Sequence, residues 1–247
     1  MADAVSEDAL LGGRVRLRQP VAGYRAAIDP VLLAAAVPAG PGEQVLDVGA
    51  GVGTAALCLA ARVPDCRVFG IEIQRDMVRL AGENAALNGA EGRVEVMVGD
   101  LTSPPPRLAA GSFDHVMANP PYNEAGAEGA APGAAKAAAT VEGEGDLADW
   151  VAFCVRMARH KASVTFIHRA DRLDALLAHL RSKAGGVVVF PLWPDAAGER
   201  PAKRVIVQAR KGSGAPLRLA PGLALHQGGG FTPGADAVLR DAQALDL

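Results

Sequence analysis

Short apolar runs alternate with segments of helical pattern from residue 44 onward, and this alternation limits the possible folds more than any other feature of the chain. Strand-length runs occupy 44–48, 67–71, 94–98 and 113–118, and helical segments at 53–61 and 75–87 follow the first two. Strands that alternate with helices pair in parallel and bury both faces of their sheet. We therefore predict an α/β fold with a doubly wound, mostly parallel sheet.

Further elements in the second half of the chain extend this sheet. Helical patterns at 147–158 and 171–180 flank a strand at 163–168, and Asp171 is placed to cap the second of these helices. The runs 187–191 and 204–209 are close enough to pair with each other. The sheet is thus predicted to be seven-stranded, with a C-terminal antiparallel hairpin.

The remaining segments divide the chain. Residues 1–43 are predicted to be an N-terminal extension with one helix, at 29–37, in which Asp29 is the N-cap and Pro30 occupies the first turn. Residues 44–210 form the α/β domain. Within it, residues 123–145 are predicted to be a mobile loop, because they are rich in Ala, Gly and Glu and have almost no bulky apolar side chain to bury. Residues 211–247 are predicted to be a C-terminal tail.

Composition indicates a globular protein, which we expect to be cytoplasmic. Half of the 247 residues are hydrophobic, 21% are charged, and Gly and Pro together contribute 46, which is below the level typical of disordered chains. No apolar stretch is long enough to span a bilayer, and residues 1–13 carry acidic rather than basic side chains. Cys58, Cys66 and Cys154 lack metal-ligand spacing, so we expect buried reduced thiols and no metal site.

A glycine-rich segment, Asp47-Val48-Gly49-Ala50-Gly51-Val52-Gly53, follows the first strand. Glycines at such a turn let backbone amides approach a ligand at the carboxyl edge of the sheet, the edge at which the parallel strands end. Glu72 closes the second strand, where a carboxylate can accept hydrogen bonds from both hydroxyls of a ribose. A nicotinamide dinucleotide is an alternative ligand, but the carboxylate of Asp47 favours the ammonium and sulfonium of S-adenosylmethionine. A turn without a ligand is the other alternative.

Asp100 follows the third strand and adds another carboxylate at the same edge. Together with Leu101 it can hold an adenine, because the carboxylate accepts from the exocyclic amine while the leucine packs on the ring. An aspartate that only stabilises the turn after Gly99 is the alternative interpretation.

The most specific segment is Asn119-Pro120-Pro121-Tyr122, at the end of the fourth strand. Its prolines fix φ and remove amide donors, so the neighbouring carbonyls remain rigid and available. A conjugated nitrogen such as adenine N6 becomes nucleophilic only when its two hydrogens are drawn into a tetrahedral arrangement. The side-chain oxygen of Asn119 and the carbonyl of Pro120 are two acceptors for this task, and Tyr122 offers a face for base stacking. A stiff turn with a tyrosine in the core is the alternative.

These segments resemble those of the Rossmann-like class I S-adenosylmethionine-dependent methyltransferases with an Asn-Pro-Pro-Tyr motif, and especially the bacterial tRNA1(Val) adenine-N6-methyltransferase family. The similar segments span most of the chain: 23–25, 28–33, 47–51, 70–74, 99–101, 119–122, 167–173 and 203–205. The resemblance implies that S-adenosylmethionine is bound by Asp47, Gly49, Gly51, Glu72, Asp100, Leu101 and Asn119. It also implies that Asn119, Pro120 and Tyr122 act on the adenine 3′ of the anticodon in valine tRNA.

Charge is distributed unevenly along the chain. The formal net charge is −2, yet residues 169–218 carry ten basic and four acidic side chains. This local excess is typical of a surface that contacts a phosphate backbone, and we assign Arg169, Arg172, Lys203 and Arg204 to tRNA binding. An ordinary solvated surface is the alternative.

Other acceptors and other classes of protein remain open. Release-factor glutamine N5-methyltransferases carry a similar motif, but they have a helical substrate domain for which the 43 residues before Gln44 are too few. Guanine-N2 methylation of ribosomal RNA is a further possibility. An NAD-dependent oxidoreductase and a cofactor-binding module without catalysis represent different classes. The sequence alone leaves the oligomeric state undetermined.

Overall fold

The computed structural model describes residues 5–21, 27–121 and 146–247. The strands are β1 (Val5–Leu10), β2 (Val15–Pro20), β3 (Gln44–Val48), β4 (Arg67–Glu72), β5 (Val94–Val98), β6 (Phe113–Ala118), β7 (Ala158–Arg169), β8 (Ala184–Asp195), β9 (Arg204–Lys211), β10 (Arg218–Leu219), β11 (Leu223–Gln227) and β12 (Gly230–Phe231). The α-helices are α1 (Asp29–Ala36), α2 (Thr54–Arg62), α3 (Arg75–Leu87), α4 (Leu147–Met157), α5 (Leu173–Leu180) and α6 (Pro233–Leu239).

The main sheet has the order β12-β11-β8-β9-β7-β6-β3-β4-β5, with β10 paired to β8. Strands β3 to β7 pair in parallel, whereas β9 runs antiparallel to both β7 and β8. The predicted α/β class, the mostly parallel sheet and the C-terminal antiparallel hairpin are therefore confirmed. Three short strands, β10 to β12, extend the predicted seven.

Helices cover both faces of this sheet. On one face α1, α2 and α3 bury a cluster that includes Leu32 and Leu59. On the other face α4 and α5 bury a second cluster that includes Trp150 and Leu176. Because helices shield both faces of the sheet from water, the central strands consist of almost continuous apolar residues, and this made them recognisable in the sequence.

A hairpin of β1 and β2 precedes α1 and was not predicted. Alternation is present in β2, where Val15 and Leu17 are buried between exposed arginines. The backbone of β2 binds two asparagines, Asn84 of α3 and Asn88, the residue directly after α3. Asn84 Oδ1 accepts from Arg18 N at 2.7 Å while its Nδ2 donates to Arg18 O at 2.9 Å, and Asn88 makes the same pair of bonds to Arg16. These two side chains thus provide hydrogen-bond partners for the backbone N–H and C=O groups at the edge of β2.

Two predicted helix caps are wrong. Asp29 is the first residue of α1 rather than its cap, and its carboxylate binds Arg204 Nε at 2.9 Å. Asp171 lies in a 3₁₀ turn before α5 and binds Arg169. In both cases a nearby guanidinium attracts the carboxylate more strongly than the helix amides do, because both partners are charged.

Residues 211–247 are not an unstructured tail. They contribute β10 to β12 and also α6, whose N-cap Thr232 accepts from Ala235 N at 3.1 Å. Ala235, Val238 and Leu239 of this helix are buried in the cluster that contains α1. Their i, i+3, i+4 spacing is a helical signal that the surrounding glycines obscured. The predicted mobile loop at 123–145 lies outside the described residues.

The predicted burial of the three cysteines is confirmed, because all three thiols are free and buried. Desolvation raises the pKa of Cys58 to about 12 and that of Cys66 to about 11. Within the described ranges, no group of three or more His, Cys, Asp or Glu side chains is arranged to hold a metal ion. The described helices also include none that is both long and apolar enough to cross a membrane.

Candidate active site

The glycine loop joins β3 to α2 at the carboxyl edge of the sheet. Its backbone is tied to β4, because the amides of Gly49 and Ala50 both donate to Ile71 O, at 2.9 and 3.0 Å. Gly49 has φ +73°, and a Cβ there would meet Trp150 Cη2 at 2.5 Å. Gly51 has φ +54°, and a Cβ there would meet open space. Gly49 is therefore required by packing, whereas Gly51 leaves the backbone open to a ligand.

Glu72 lies beside this loop at the end of β4, and its side chain is buried. Its Oε2 accepts from Gly51 N at 2.9 Å and its Oε1 accepts from Gln74 N at 2.9 Å. Each carboxylate oxygen retains a second lone pair. The backbone thus fixes the orientation of Glu72 and leaves acceptor capacity for a pair of hydroxyls.

Asp100 and Leu101 follow β5 next to Glu72, since Gly99 N donates to Glu72 O at 3.0 Å. Asp100 Oδ1 accepts from both N and Oγ1 of Thr102 at 2.7 Å, which holds the carboxylate in a tight turn. Leu101 is buried. The structure therefore brings the predicted adenine-binding pair to the predicted place.

A cleft lies among these residues. It is lined by Val48, Gly49, Ile71, Glu72, Ile73, Gly99, Asp100, Leu101 and Trp150. Four of the predicted cofactor-binding residues, Gly49, Glu72, Asp100 and Leu101, are thus in its wall. Sequence reasoning missed Trp150, which belongs to the apolar face of α4. Its spacing there is that of an ordinary core residue, so the sequence carried no signal for this role.

Asp47 lies in β3 before the loop and does not line this cleft. Desolvation raises the pKa of its buried carboxyl from 3.8 to about 7, the Ala56 amide lowers it, and the charge of Glu72 raises it further. Ala56 is in the first turn of α2, so Asp47 satisfies an amide that the helix leaves unpaired. Its other oxygen, Oδ2, has no hydrogen-bond partner within the described part of the chain. A buried acceptor of this kind is uncommon, because most buried polar atoms in folded proteins have a hydrogen-bond partner.

Asn119 and Pro120 directly follow β6 and complete the carboxyl edge. Ala118 pairs with Val48 of β3 and with Phe166 of β7, so the next residue, Asn119, lies beside Gly49. Asn119 is half-buried and Pro120 is buried. Tyr122 lies outside the described residues, as do Tyr24 and Arg25.

The four predicted tRNA-binding residues all lie at this edge, at the ends of β7 and β9. Arg169 pairs with Asp171, and Arg204 pairs with Asp29. Lys203 is exposed and Arg172 is half-buried. The charges of Arg169 and Arg204 are thus matched by carboxylates of the same chain.

Two buried histidines, His115 and His168, lie at different edges of the sheet. His115 is at the amino edge of the sheet, where the strands begin, and contacts Ser163 Oγ at 2.8 Å and Glu43 Oε2 at 2.9 Å. His168 is buried near the carboxyl edge. Desolvation, assisted by Arg172, Arg204 and Arg169, lowers its pKa to about 4. His168 is therefore neutral at pH 7 and does not attract phosphate by charge.

The fold and this site define a class I S-adenosylmethionine-dependent methyltransferase. The family model of the methyltransferase small domain matches residues 27–148. The chain is 31% identical over 185 residues to tRNA1(Val) (adenine(37)-N6)-methyltransferase of Aeromonas hydrophila, covering 74% of this chain and 75% of the relative. It is 36% identical to the Salmonella enteritidis protein of that name over 105 residues, or 42% of each chain. The chain therefore belongs to the tRNA1(Val) (adenine-N6)-methyltransferase family.

A solved structure is similar over a larger share of the chain. It is the crystal structure of a protein from Agrobacterium tumefaciens that its authors describe as a predicted O-methyltransferase. It superposes with a TM-score of 0.73 at 27% identity, covering 88% of this chain and 98% of that protein. Because 88% of the chain is covered, the similarity extends beyond the residues that the family model matches.

Proposed function

We propose that this methyltransferase transfers a methyl group to the exocyclic N6 of an adenine in tRNA, at the position 3′ of the anticodon in valine tRNA. The observation that carries the proposal is the register of β3 and β6, which places Asn119 and Pro120 beside the glycine loop. The names of the curated relatives favour the same substrate. A tRNA substrate implies a cytoplasmic enzyme.

The residues of the cleft fit S-adenosylmethionine. Glu72 has acceptor capacity for the ribose hydroxyls, Asp100 accepts from the adenine amine, and Leu101 packs on the ring. The backbone at Gly49 and Gly51 borders the path toward the methionine end. The orphaned oxygen of Asp47 is an acceptor for a cationic group.

The chemistry requires an acceptor amine that is oriented and activated. The cofactor supplies a methyl group on a positively charged sulfur. Asn119 Oδ1 and the Pro120 carbonyl accept one hydrogen bond each from the two N–H groups of the target amine. This directs the nitrogen lone pair toward the methyl carbon, and the gain in rate comes from orientation and from stabilised positive charge on nitrogen. As the nitrogen–carbon bond forms, the carbon–sulfur bond breaks and S-adenosylhomocysteine leaves. One proton then leaves the nitrogen to solvent, so no strong base is needed.

Further contacts hold the RNA. Tyr122 stacks on the flipped adenine, a contact worth about 1–3 kcal/mol. Lys203 and Arg172 approach phosphates next to the target nucleotide. Arg169 and Arg204, which pair with Asp171 and Asp29, contribute to the same surface.

Asn119→Ala tests the proposed role directly. We expect it to abolish methylation of unmodified tRNA while S-adenosylhomocysteine affinity, measured by calorimetry, stays within a few-fold. Asn119→Asp is the matched control, since it keeps an oxygen acceptor and should retain measurable turnover. If the alanine variant methylates tRNA at the wild-type rate, the role assigned to Asn119 is wrong.

The acceptor is tested by incubating the protein with labelled cofactor and either total RNA or total protein, then identifying the product by mass spectrometry. N6-methyladenosine in valine tRNA supports the proposal. Labelled N5-methylglutamine, N2-methylguanine or an O-methylated product would replace it with a different acceptor. Calorimetric binding of NADH in place of S-adenosylhomocysteine would instead point to an oxidoreductase.

A further inference from the structure

Basic side chains are compensated differently at the two edges of the sheet. At the carboxyl edge Arg169, Arg200 and Arg204 each pair with a carboxylate, of Asp171, Asp195 and Asp29 respectively. The amino edge carries a second set of basic side chains. We call it the amino-edge patch, and it consists of Arg156, Lys161, Arg181, Lys183, Arg210 and Lys211.

Three parts of the chain bring the amino-edge patch together. Arg156 is in the last turn of α4, and Arg181 and Lys183 lie between α5 and β8. Arg210 of β9 is in register with Ser163 of β7, and Lys211 is in register with Ala184 of β8. The six side chains come from three separate stretches of the sequence but belong to one edge.

The amino-edge patch makes its hydrogen bonds to backbone carbonyls. Lys161 Nζ donates to Gly212 O at 3.1 Å, and Lys183 Nζ donates to His179 O at 2.9 Å. Lys211 Nζ donates to Ala158 O at 2.7 Å and to Arg156 O at 3.3 Å. Among the described residues, no carboxylate forms a salt bridge with any of the six. The neighbouring acids Asp114 and Glu43 contact Arg159 and His115 instead.

A purely structural role accounts for only part of this charge. Lys211 and Lys183 bind carbonyls at the C-terminal ends of α4 and α5, where cations are favourable. Each helix end offers roughly half an elementary negative charge. Two such ends therefore offset about one of the six cations, so most of the positive charge is available to a partner.

We propose that the amino-edge patch binds the phosphate backbone of the RNA substrate, at a distance from the reacting base. The inference rests on the proposed function. Lys161 and His168 are both in β7, seven residues apart, which at about 3.3 Å per residue places the patch roughly 20 Å from the carboxyl edge. A small double-stranded-RNA-binding module already covers about 16 base pairs, so one folded RNA is long enough to reach both edges.

Charge reversal of Lys161 and Arg181 tests the proposal. Both side chains are exposed, and neither holds a helix end. The probe is a fluorescein-labelled, unmodified valine tRNA transcript, and its affinity is measured by anisotropy over a series of KCl concentrations without cofactor. We expect Lys161→Glu and Arg181→Glu each to lower the log–log salt slope by about one. The double variant should bind at least about tenfold more weakly at ~0.1 M salt.

The matched control is Arg67→Glu, an exposed arginine at the beginning of β4 on the same edge. It changes the net charge by the same amount and should leave the slope unchanged. Equal losses in Lys161→Glu and Arg67→Glu would overturn the proposal, because net charge alone would then explain them. Unchanged tRNA binding by the double variant would also overturn it, as would a wild-type protein that binds an acidic protein domain through this patch but binds no tRNA.

Cofactor affinity and melting temperature verify that the variants are folded. The outcomes separate this inference from the proposed function. Methylation of tRNA together with an unchanged slope would refute only the amino-edge patch. A reduced slope without any methylation of RNA would retain the patch and refute only the acceptor.

Discussion

The buried carboxylate of Asp47 allows a quantitative prediction. Its pKa is raised from 3.8 to about 7 in the folded protein, mainly by desolvation. The folded state then binds a proton more tightly than the unfolded state between these two values. Stability must therefore fall as pH rises from about 4 to about 7 and stay at the lower level above that range. The full difference corresponds to about 4 kcal/mol, which is an upper limit for the penalty of the ionised side chain.

Asp47→Asn removes the charge and keeps the shape and an acceptor for Ala56. In the absence of cofactor, we expect the variant to be more stable than the wild type at pH 8, by up to about 4 kcal/mol, and equally stable near pH 4. Urea denaturation over this pH range measures the difference. Asp236→Asn, in an exposed carboxylate of α6, is the control and should show no such gain. A variant that is equally or less stable at pH 8 would refute the reasoning.

The same carboxylate should couple cofactor binding to protonation. A cation held near Asp47 Oδ2 would lower the pKa of that carboxyl, since an opposite charge favours the ionised form. Binding of S-adenosylmethionine at pH 6 should then release a proton. Calorimetry in two buffers of different ionisation enthalpy detects this release, which should be absent in Asp47→Asn. Equal enthalpies in both buffers for the wild type would place Asp47 outside the cofactor site.

Three further predictions follow from packing. Gly49→Ala should lower the free energy of unfolding, measured by urea denaturation, by about 2–4 kcal/mol, because the new Cβ is strained at positive φ and meets Trp150. Gly51→Ala should lower it less, because its Cβ meets open space, and should weaken cofactor binding instead. Asn84→Ala should lower the free energy of unfolding by about 1–3 kcal/mol, since it leaves backbone groups of Arg18 and Val52 unpaired. A protease should then cleave the N-terminal hairpin faster, and an unchanged rate of cleavage would contradict this prediction. The three thiols should react with a thiol reagent only as fast as the protein unfolds.

Much of the fold was predictable because parallel strands buried on both faces leave an unmistakable apolar pattern. The strands β3, β5 and β6 and the helix α3 occupy the predicted residues. The hairpin of β1 and β2 was missed although buried residues alternate with exposed arginines in β2, which is a strand pattern. Its stability also depends on Asn84 and Asn88, which lie more than 60 residues away. Partners at such separation leave no local signal.

The candidate site was predictable to the extent that its residues follow strand ends. Glu72, Asp100 and Asn119 each come directly after or at the end of a parallel strand, and topology alone brings such positions together. Trp150 and the orphaned oxygen of Asp47 were not predictable, because both depend on how α4 and α2 pack against the loop. The distribution of basic residues between two edges also required the strand register, since neighbours in sequence, such as Arg204 and Arg210, lie at opposite ends of β9.

The N-terminal hairpin is connected to the site through one side chain. Asn84 is completely buried, and its Nδ2 donates both to Arg18 O of β2 and to Val52 O in the glycine loop, at 2.9 and 3.0 Å. Among the described residues, the loop is also held by backbone bonds of Gly49 and Ala50 to Ile71 and by the carboxylate of Glu72. A loop of three glycines at positive φ has more conformations to lose on folding than other segments. The hairpin therefore contributes to the rigidity of the cofactor site, although it lies outside the predicted α/β domain.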